Sequence, residues 1–280
     1  MPNYENIVEA AKSGTVEDVK FFIEKMGDSA RSTVAGGATL LHIAAESNRN
    51  ITVLEYLISQ DVNVKAKNNW GMTPLHYAAK GNDNDEVLKY LVSQGAEVKA
   101  EDENGVTPLH EAASGNGNIA VLEYLISQGA DVNAKTTSGT IPLHGAAEKN
   151  PNFLVVRFLI AQGAEINAKD KAGKTPLDHA CSAATYCREQ AKWNRRLVLG
   201  YNRSGAGTAE DAERWTQEAK EYDRKCEVAE KKESVIREAG GQCGSGGSGS
   251  SGCLVFFVAL GTLLTSGVCG LVFAIIGSIR

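Results

Sequence analysis

Histidine recurs at positions 42, 76, 110 and 144, always 34 residues apart, and its neighbours recur with it. The pairs Ala44/Ala45, Ala78/Ala79, Ala112/Ala113 and Ala146/Ala147 keep the same step, as do Tyr56, Tyr90, Tyr124 and Phe158. A period of this size describes a solenoid, in which each unit is one supersecondary element that buries its apolar face only against its neighbours.

Two helical repeat families have periods this close, and the recurring words decide between them. Proline opens the first helix of the unit at Pro74, Pro108, Pro142 and Pro176, and the unit closes on Gly-Ala-Asp-Val-Asn at Gly129 to Asn133, nearly again at Gly163 to Asn167. From residue 3 to about residue 181 the chain closely resembles the ankyrin repeat family, with Leu40 in place of proline, Asp61 in place of glycine and Lys99 in place of asparagine. The resemblance implies an all-α repeat solenoid of helix pairs joined by β-hairpin turns. It also implies no common enzymatic activity, and a protein partner held by the turn tips and the exposed face of the first helices.

Each word has a physical reason of its own. Thr107 suits an N-cap and Pro108 the first helical position, where a missing N–H costs nothing. Ala112 and Ala113 let a second helix approach, while Leu109, Val121, Leu122, Leu125 and Ile126 supply the apolar stripe. Gly129 ends that helix in the left-handed conformation cheapest for glycine. An Asn-x-Asn also repeats, at Asn48/Asn50, Asn82/Asn84, Asn116/Asn118 and Asn150/Asn152. Its first member reads as a left-handed C-cap and its second as the N-cap of the next helix.

Residues 1–36 read as an N-terminal capping repeat, and 37–172 as four full repeats. A last repeat opens at Gly173 and breaks off, yet Val235 to Gly241, VIREAGG, reads like the end of a second repeat helix. The span 173–241 is therefore expected to be one repeat carrying an inserted helical hairpin at about 182–226. Folding about Ser204 sets Trp193 opposite Trp215 and Tyr186 opposite Tyr222, and turns Arg188, Lys192, Arg195 and Arg196 outward. That basic stripe is either a solvated face or a contact with anionic lipid.

A Gly/Ser linker follows at 242–253, and then the character of the chain changes. Leu254 to Ile279 holds no charge in 26 residues, more than the roughly 20 that cross a bilayer. It reads as a single transmembrane helix and tail anchor, with Leu254, Phe256, Phe257, Phe273 and Ile276 among its membrane residues. Thr262, Ser266, Gly270, Ala274 and Ser278 recur every four residues, a small-residue face that predicts a homodimer through the membrane helix.

Residues 1–180 carry 16 basic against 23 acidic side chains, a balance that argues against nucleic acid as a partner. The N-terminus lacks a basic start and apolar run, which places the repeats in the cytoplasm. All six cysteines follow residue 180 without metal-like spacing, as suits a reducing compartment. No catalytic nucleophile, cofactor motif or metal cluster stands out. The histidines occupy a structural position of the repeat, and Gly173-Lys174-Thr175 lacks the glycine that a phosphate loop needs five residues earlier.

What remains is a surface. The resemblance carries partner binding onto the tips Asn69, Trp70 and Met72; Glu103 and Asn104; Ser138; Lys171 and Lys174. It carries it also onto the helix column Ile43, Tyr77, Glu111 and His179. Trp70, Met72 and Tyr77 gather three large side chains at one place, where Trp70 either anchors a partner or folds back over its neighbour. The expected function is a membrane-tethered protein-binding scaffold. The alternative is a structural component of an oligomeric membrane assembly, with the repeats as spacer.

Overall fold

The computed structural model describes residues 4–27, 29–204 and 208–244. Five short helix pairs come first: α1 (Ile7–Ser13) with α2 (Val16–Glu24), α3 (Leu40–Ser47) with α4 (Ile51–Ser59), α5 (Pro74–Gly81) with α6 (Asp85–Ser93), α7 (Pro108–Gly115) with α8 (Ile119–Ser127), and α9 (Pro142–Lys149) with α10 (Phe153–Ala161). Two long helices follow, α11 (Pro176–Ser204) and α12 (Ala209–Glu238). Odd-numbered helices pack on one another in one layer and even-numbered helices in a second. Leu41, Leu75, Leu109, Leu143 and Leu177 are fully buried in the first layer, each contributing about 2 kcal/mol by its burial.

The β-hairpin turns expected between repeats are tight turns instead, with no strand among the described residues and one isolated bridge, Thr33 to Thr39. In the second turn Asn68 N–H donates to Met72 O and Gly71 N–H to Asn68 O, both at 3.0 Å. The helix begins two residues later at Pro74, and a proline has no N–H with which to lengthen a ladder. Where the even helices end, Gly129 is left-handed at φ 87°, and Asp61 adopts the same conformation at φ 57° in the place of a glycine. Asp61 pairs with Arg31 of the preceding repeat at 3.2 Å.

Neighbouring repeats are joined by two rows of buried side chains. In the first, His76 Nδ1 accepts the Thr73 amide at 3.1 Å, so the ring proton sits on Nε2 and is donated to Val106 O at 3.0 Å. His42, His110 and His144 repeat this, reaching Met72, Thr140 and Lys174 carbonyls thirty residues on. The Thr hydroxyl is dispensable: Ile141 fills its place and still donates its amide to His144 Nδ1 at 3.1 Å. In the second row Asn82 Nδ2 donates to Ala45 O at 2.9 Å and Asn48 O at 3.0 Å, while Asn82 Oδ1 accepts the Asn84 amide.

This second row corrects the left-handed reading of the first asparagine. Asn48, Asn82, Asn116 and Asn150 are extended, with Asn82 at φ -89° and ψ 122°. The extended backbone carries the amide inward to the unpaired carbonyls of the previous first helix, which a residue pointing to solvent would leave bare. The second asparagine is the N-cap expected, as Asn118 Oδ1 accepts the Ala120 amide at 3.0 Å.

α11 and α12 form an antiparallel arm continuous with the last repeat, since α11 runs unbroken from the repeat position Pro176 to Ser204. Its seam is made of small residues. Ala184, Ala191 and Asn194 are buried on α11 with Cys187 half-buried, and Ala219, Cys226, Ala229, Glu233 and Ile236 are buried on α12. The α11 set steps by three and four residues, and so does the α12 set once half-buried Tyr222 is counted, the spacing of a coiled coil. The expected inward aromatic stripe is therefore displaced to the edge: Tyr186 and Trp193 are 59% and 58% exposed. Tyr186 does meet Tyr222 edge-on at 6.4 Å between ring centres. Trp193 and Trp215 make no such contact, because an alanine seam brings the backbones too close to hold two indoles between them.

The basic stripe is also largely neutralised. Arg188 pairs with Glu230 at 2.8 Å, Arg195 with Asp223, and Lys192 with Glu189 at 2.8 Å. Lys232 is buried where α12 crosses α9, and its Nζ donates to Ala146 O at 3.3 Å. Burial pushes its ammonium down to about 8. At the far end of α12, Asn167 Nδ2 donates to Gly240 O and Asn167 Oδ1 accepts the Gln242 amide. Asn133 treats Gly163 and Glu165 in the same way one repeat earlier.

Among the described residues no helix is long and apolar enough to cross a membrane. The segment read from the sequence as a membrane span, with Leu254, Phe256, Phe257, Gly270, Phe273 and Ile276, lies outside the described residues.

Two outcomes follow from the buried rows. Asn116→Ala strips donors from Ala79 O and Asn82 O and should cost about 2–3 kcal/mol in urea unfolding. Asn118→Ala loses an N-cap and an exposed bond to Asp83 O and should cost about 1 kcal/mol, and the reverse order would refute the ladder. Burial also lowers the pKa of His42, His76, His110 and His144 below 6.5, outweighing the carbonyl contacts that raise it. With the folded values depressed, their contribution is complete above about pH 6.5 and is lost as pH falls through those values. Urea midpoints should hold from pH 8 to 7 and drop below 6.5, and His76→Gln should lessen that drop.

Candidate protein-binding surface

The turns stand in a row because each is bonded to the one before it. The amides of Asn69, Glu103, Thr137 and Lys171 donate to the carbonyls of Gly36, Trp70, Asn104 and Ser138 at 2.8–3.0 Å. This sets Asn69, Glu103, Asn104, Ser138, Lys171 and Lys174 along one exposed edge. Gly71 is buried and left-handed at φ 81°, and a side chain there would run into the backbone of Asp102 and Glu103. Close approach of successive turns thus requires a glycine at this point of the unit.

A column that sequence reasoning passed over shapes each turn from within. Asn68 Oδ1 accepts the amides of Trp70 and Met72 at 2.9 and 3.0 Å, and Asp102 and Asp170 do the same in their own turns. In the turn between them, Thr136 Oγ1 accepts the Thr140 amide. The signal was present as a 34-residue spacing of small acceptors, but their identity changes from unit to unit.

The same residues aim the helix column. Asn68 Nδ2 donates to Tyr77 Oη at 3.0 Å, and the Tyr77 ring stands edge-on to His42 at 5.2 Å. Asp170 Oδ2 lies 3.1 Å from His179 Nε2, with Glu148 3.5 Å from Nδ1 on the other side. Burial works to raise the Asp170 carboxyl, but the amides of Lys174 and Ala172 together with His179 hold it below its usual range. Glu111 is aimed from the neighbouring helix instead, through Lys80 at 3.5 Å. Ile43 stands half-buried at the head of the column.

Trp70, Met72 and Tyr77 differ in exposure and in contacts. Trp70 lies across Gly36 of the preceding turn and remains 53% exposed, so it both covers its neighbour and offers a face to solvent. Met72 is half-buried and lends its carbonyl to His42, while Tyr77 lies at the foot of the turn. Two surface clefts are open and polar. One is lined by Lys12, Glu46, Arg49 and Asp83, another by Lys65, Lys67, Glu97 and Glu101. Neither encloses a small apolar ligand. Among the described residues no group of three or more His, Cys, Asp or Glu side chains is placed to hold a metal ion.

Stacked helix pairs, a row of bonded turns and a half-buried column of unlike side chains define a helical repeat solenoid. The family model for ankyrin repeats (3 copies) matches residues 7–102, 41–136 and 109–192, and the chain belongs to the ankyrin repeat family. Proteins of this family are in general interaction scaffolds rather than enzymes, binding protein partners through their repeats. No curated protein matches the chain.

Asn68→Ala should speed hydrogen exchange at the Trp70 and Met72 amides at least tenfold and cost about 1–3 kcal/mol. Trp70→Ala should leave both amides protected and stability within about 0.5 kcal/mol. Equal exchange in the two variants would show that the turn is not held from Asn68.

Proposed function

We propose that the chain is a membrane-tethered scaffold that captures a partner protein on the row of turns and the helix column, with its contact strongest around Trp70 and Tyr77. The observation that carries this reading is Trp70, an indole set against Gly36 of the preceding turn yet 53% exposed. A large rigid aromatic of this kind often contributes about 2 kcal/mol to a protein interface. The remaining expected contacts, Asn69, Met72, Ile43, Glu103, Asn104, Glu111, Ser138, Lys171, Lys174 and His179, extend the face over all the repeats.

In this reading residues 1–36 cap the array, 37–172 are four full repeats, and 173–241 are a further repeat divided by the α11–α12 arm. Supporting the division, Asn167 bonds to residues 73 and 75 positions later, where Asn133 bonds to residues 30 and 32 positions later. The difference in each case is 43 residues, which supports an insertion of about that length. The uncharged run from Leu254 to Ile279 supplies the tether and its Gly270 face the self-association, with the repeats in the cytoplasm.

A photo-crosslinking residue at position 70 or 77 of the membrane-embedded chain should capture a distinct protein, and one at Gln94, on the opposite side of the unit, should not. The chain should stay in the membrane pellet through alkaline carbonate. Equal capture from all three positions would defeat the binding face, and release by carbonate would defeat the tether.

A further inference from the structure

The histidine row ends in a change of residue. His42, His76, His110 and His144 each donate to a carbonyl of the following turn, but the next position in the row is Asp178. No further turn follows there, because α11 continues into the arm. What arrives is the chain returning from α12. Gly244 N–H donates to Asp178 Oδ2 at 2.7 Å, and Thr175 Oγ1 donates to Gln242 O at 2.7 Å. Gln242 N–H donates to Asn167 Oδ1 at 2.6 Å.

The exchange of residue matches the exchange of partner. A histidine whose Nδ1 holds the cap amide presents a donor, which suits a carbonyl. A carboxylate presents an acceptor, and the group that reaches this place is an N–H. Asp178 keeps the other duty of the position, since its Oδ2 also accepts the Thr175 amide at 2.8 Å. The approach is close: a side chain on Gly244 would overlap the Gly173 carbonyl.

We propose that residues 240–244 are a tie that closes the open edge of the last turn in place of a further repeat, with Asp178 as its receptor. The tie brings Gln242 and Gly244 onto the last turn, beside Thr175 and Asp178, rather than leaving them at the end of α12. Burial acts to raise the Asp178 carboxyl, but the amides of Thr175 and Gly244 hold it below its usual range, so the receptor is an anion at neutral pH.

Asp178→His in the full chain tests this, because histidine can still take the Thr175 amide but offers Gly244 no acceptor. Hydrogen exchange at Gly244 should rise at least tenfold, while the amides of Leu177 to Ala184 stay protected. Gly244→Ala should give the same acceleration with the receptor intact. If α11 itself loosens in Asp178→His, the alanine variant decides alone. Unchanged exchange across residues 242–244 in Gly244→Ala, or in an Asp178→His whose α11 stays protected, overturns the tie.

Discussion

A first helix in this array ends with carbonyls that nothing in its own repeat can reach. The asparagine of the next repeat reaches them: Asn116 sits under Ala79 and Asn82, and Asn150 under Ala113 and Asn116. The histidines complete the exchange in the opposite sense, each handing a proton forward to the following turn. A buried polar group left without a partner costs more than the bond returns when made. No repeat is therefore satisfied alone, and stability is a property of adjacent pairs.

Such an array must be finished at both ends. At the N-terminal end α1 offers the carbonyls of Ala11 and Gly14 to Asn48, while Asn6 and Thr15 cap its two helices with their own side chains. At the C-terminal end the place of the next asparagine, 34 residues after Asn150, is Ala184, which lies inside α11 and has no amide to give. The buried ammonium of Lys232, arriving from α12, donates close by, to Ala146 O, one residue before the Ala147 carbonyl that continues the row. A charged group tolerates burial here because it meets the carbonyl end of a helix.

The period, the helix pairs and the N-caps were legible because a solenoid has to repeat whatever its interfaces need. The role of the first asparagine was not, since asparagine is favoured both in a left-handed cap and as a buried cross-repeat donor, and only the backbone angles separate the two. The seam of the arm was hidden for a different reason. Tyr186 and Trp193 dominate any reckoning by hydrophobicity, whereas Ala184, Cys187 and Ala191 carry little weight singly and matter because they let two backbones close. The pairing of Tyr186 with Tyr222 was readable, because a fold about Ser204 sets the two at one level of the arm. Of the binding face, the exposed residues could be placed from the repeat, but the column of Asn68, Asp102, Thr136 and Asp170 that aims them could not.

The unbroken course of α11 gives the last repeat a mechanical character that the other repeats lack. Its helix rises about 1.5 Å per residue, so the stretch from Ser182 to Ser204 carries the end of the arm roughly 34 Å from the array. No loop intervenes to absorb a rotation. A tilt of the last repeat by about 5°, well within the slack of a terminal unit, would sweep that end through roughly 3 Å. A rotation of the last repeat would thereby become a displacement at a distance, on a scale set by the length of one helix.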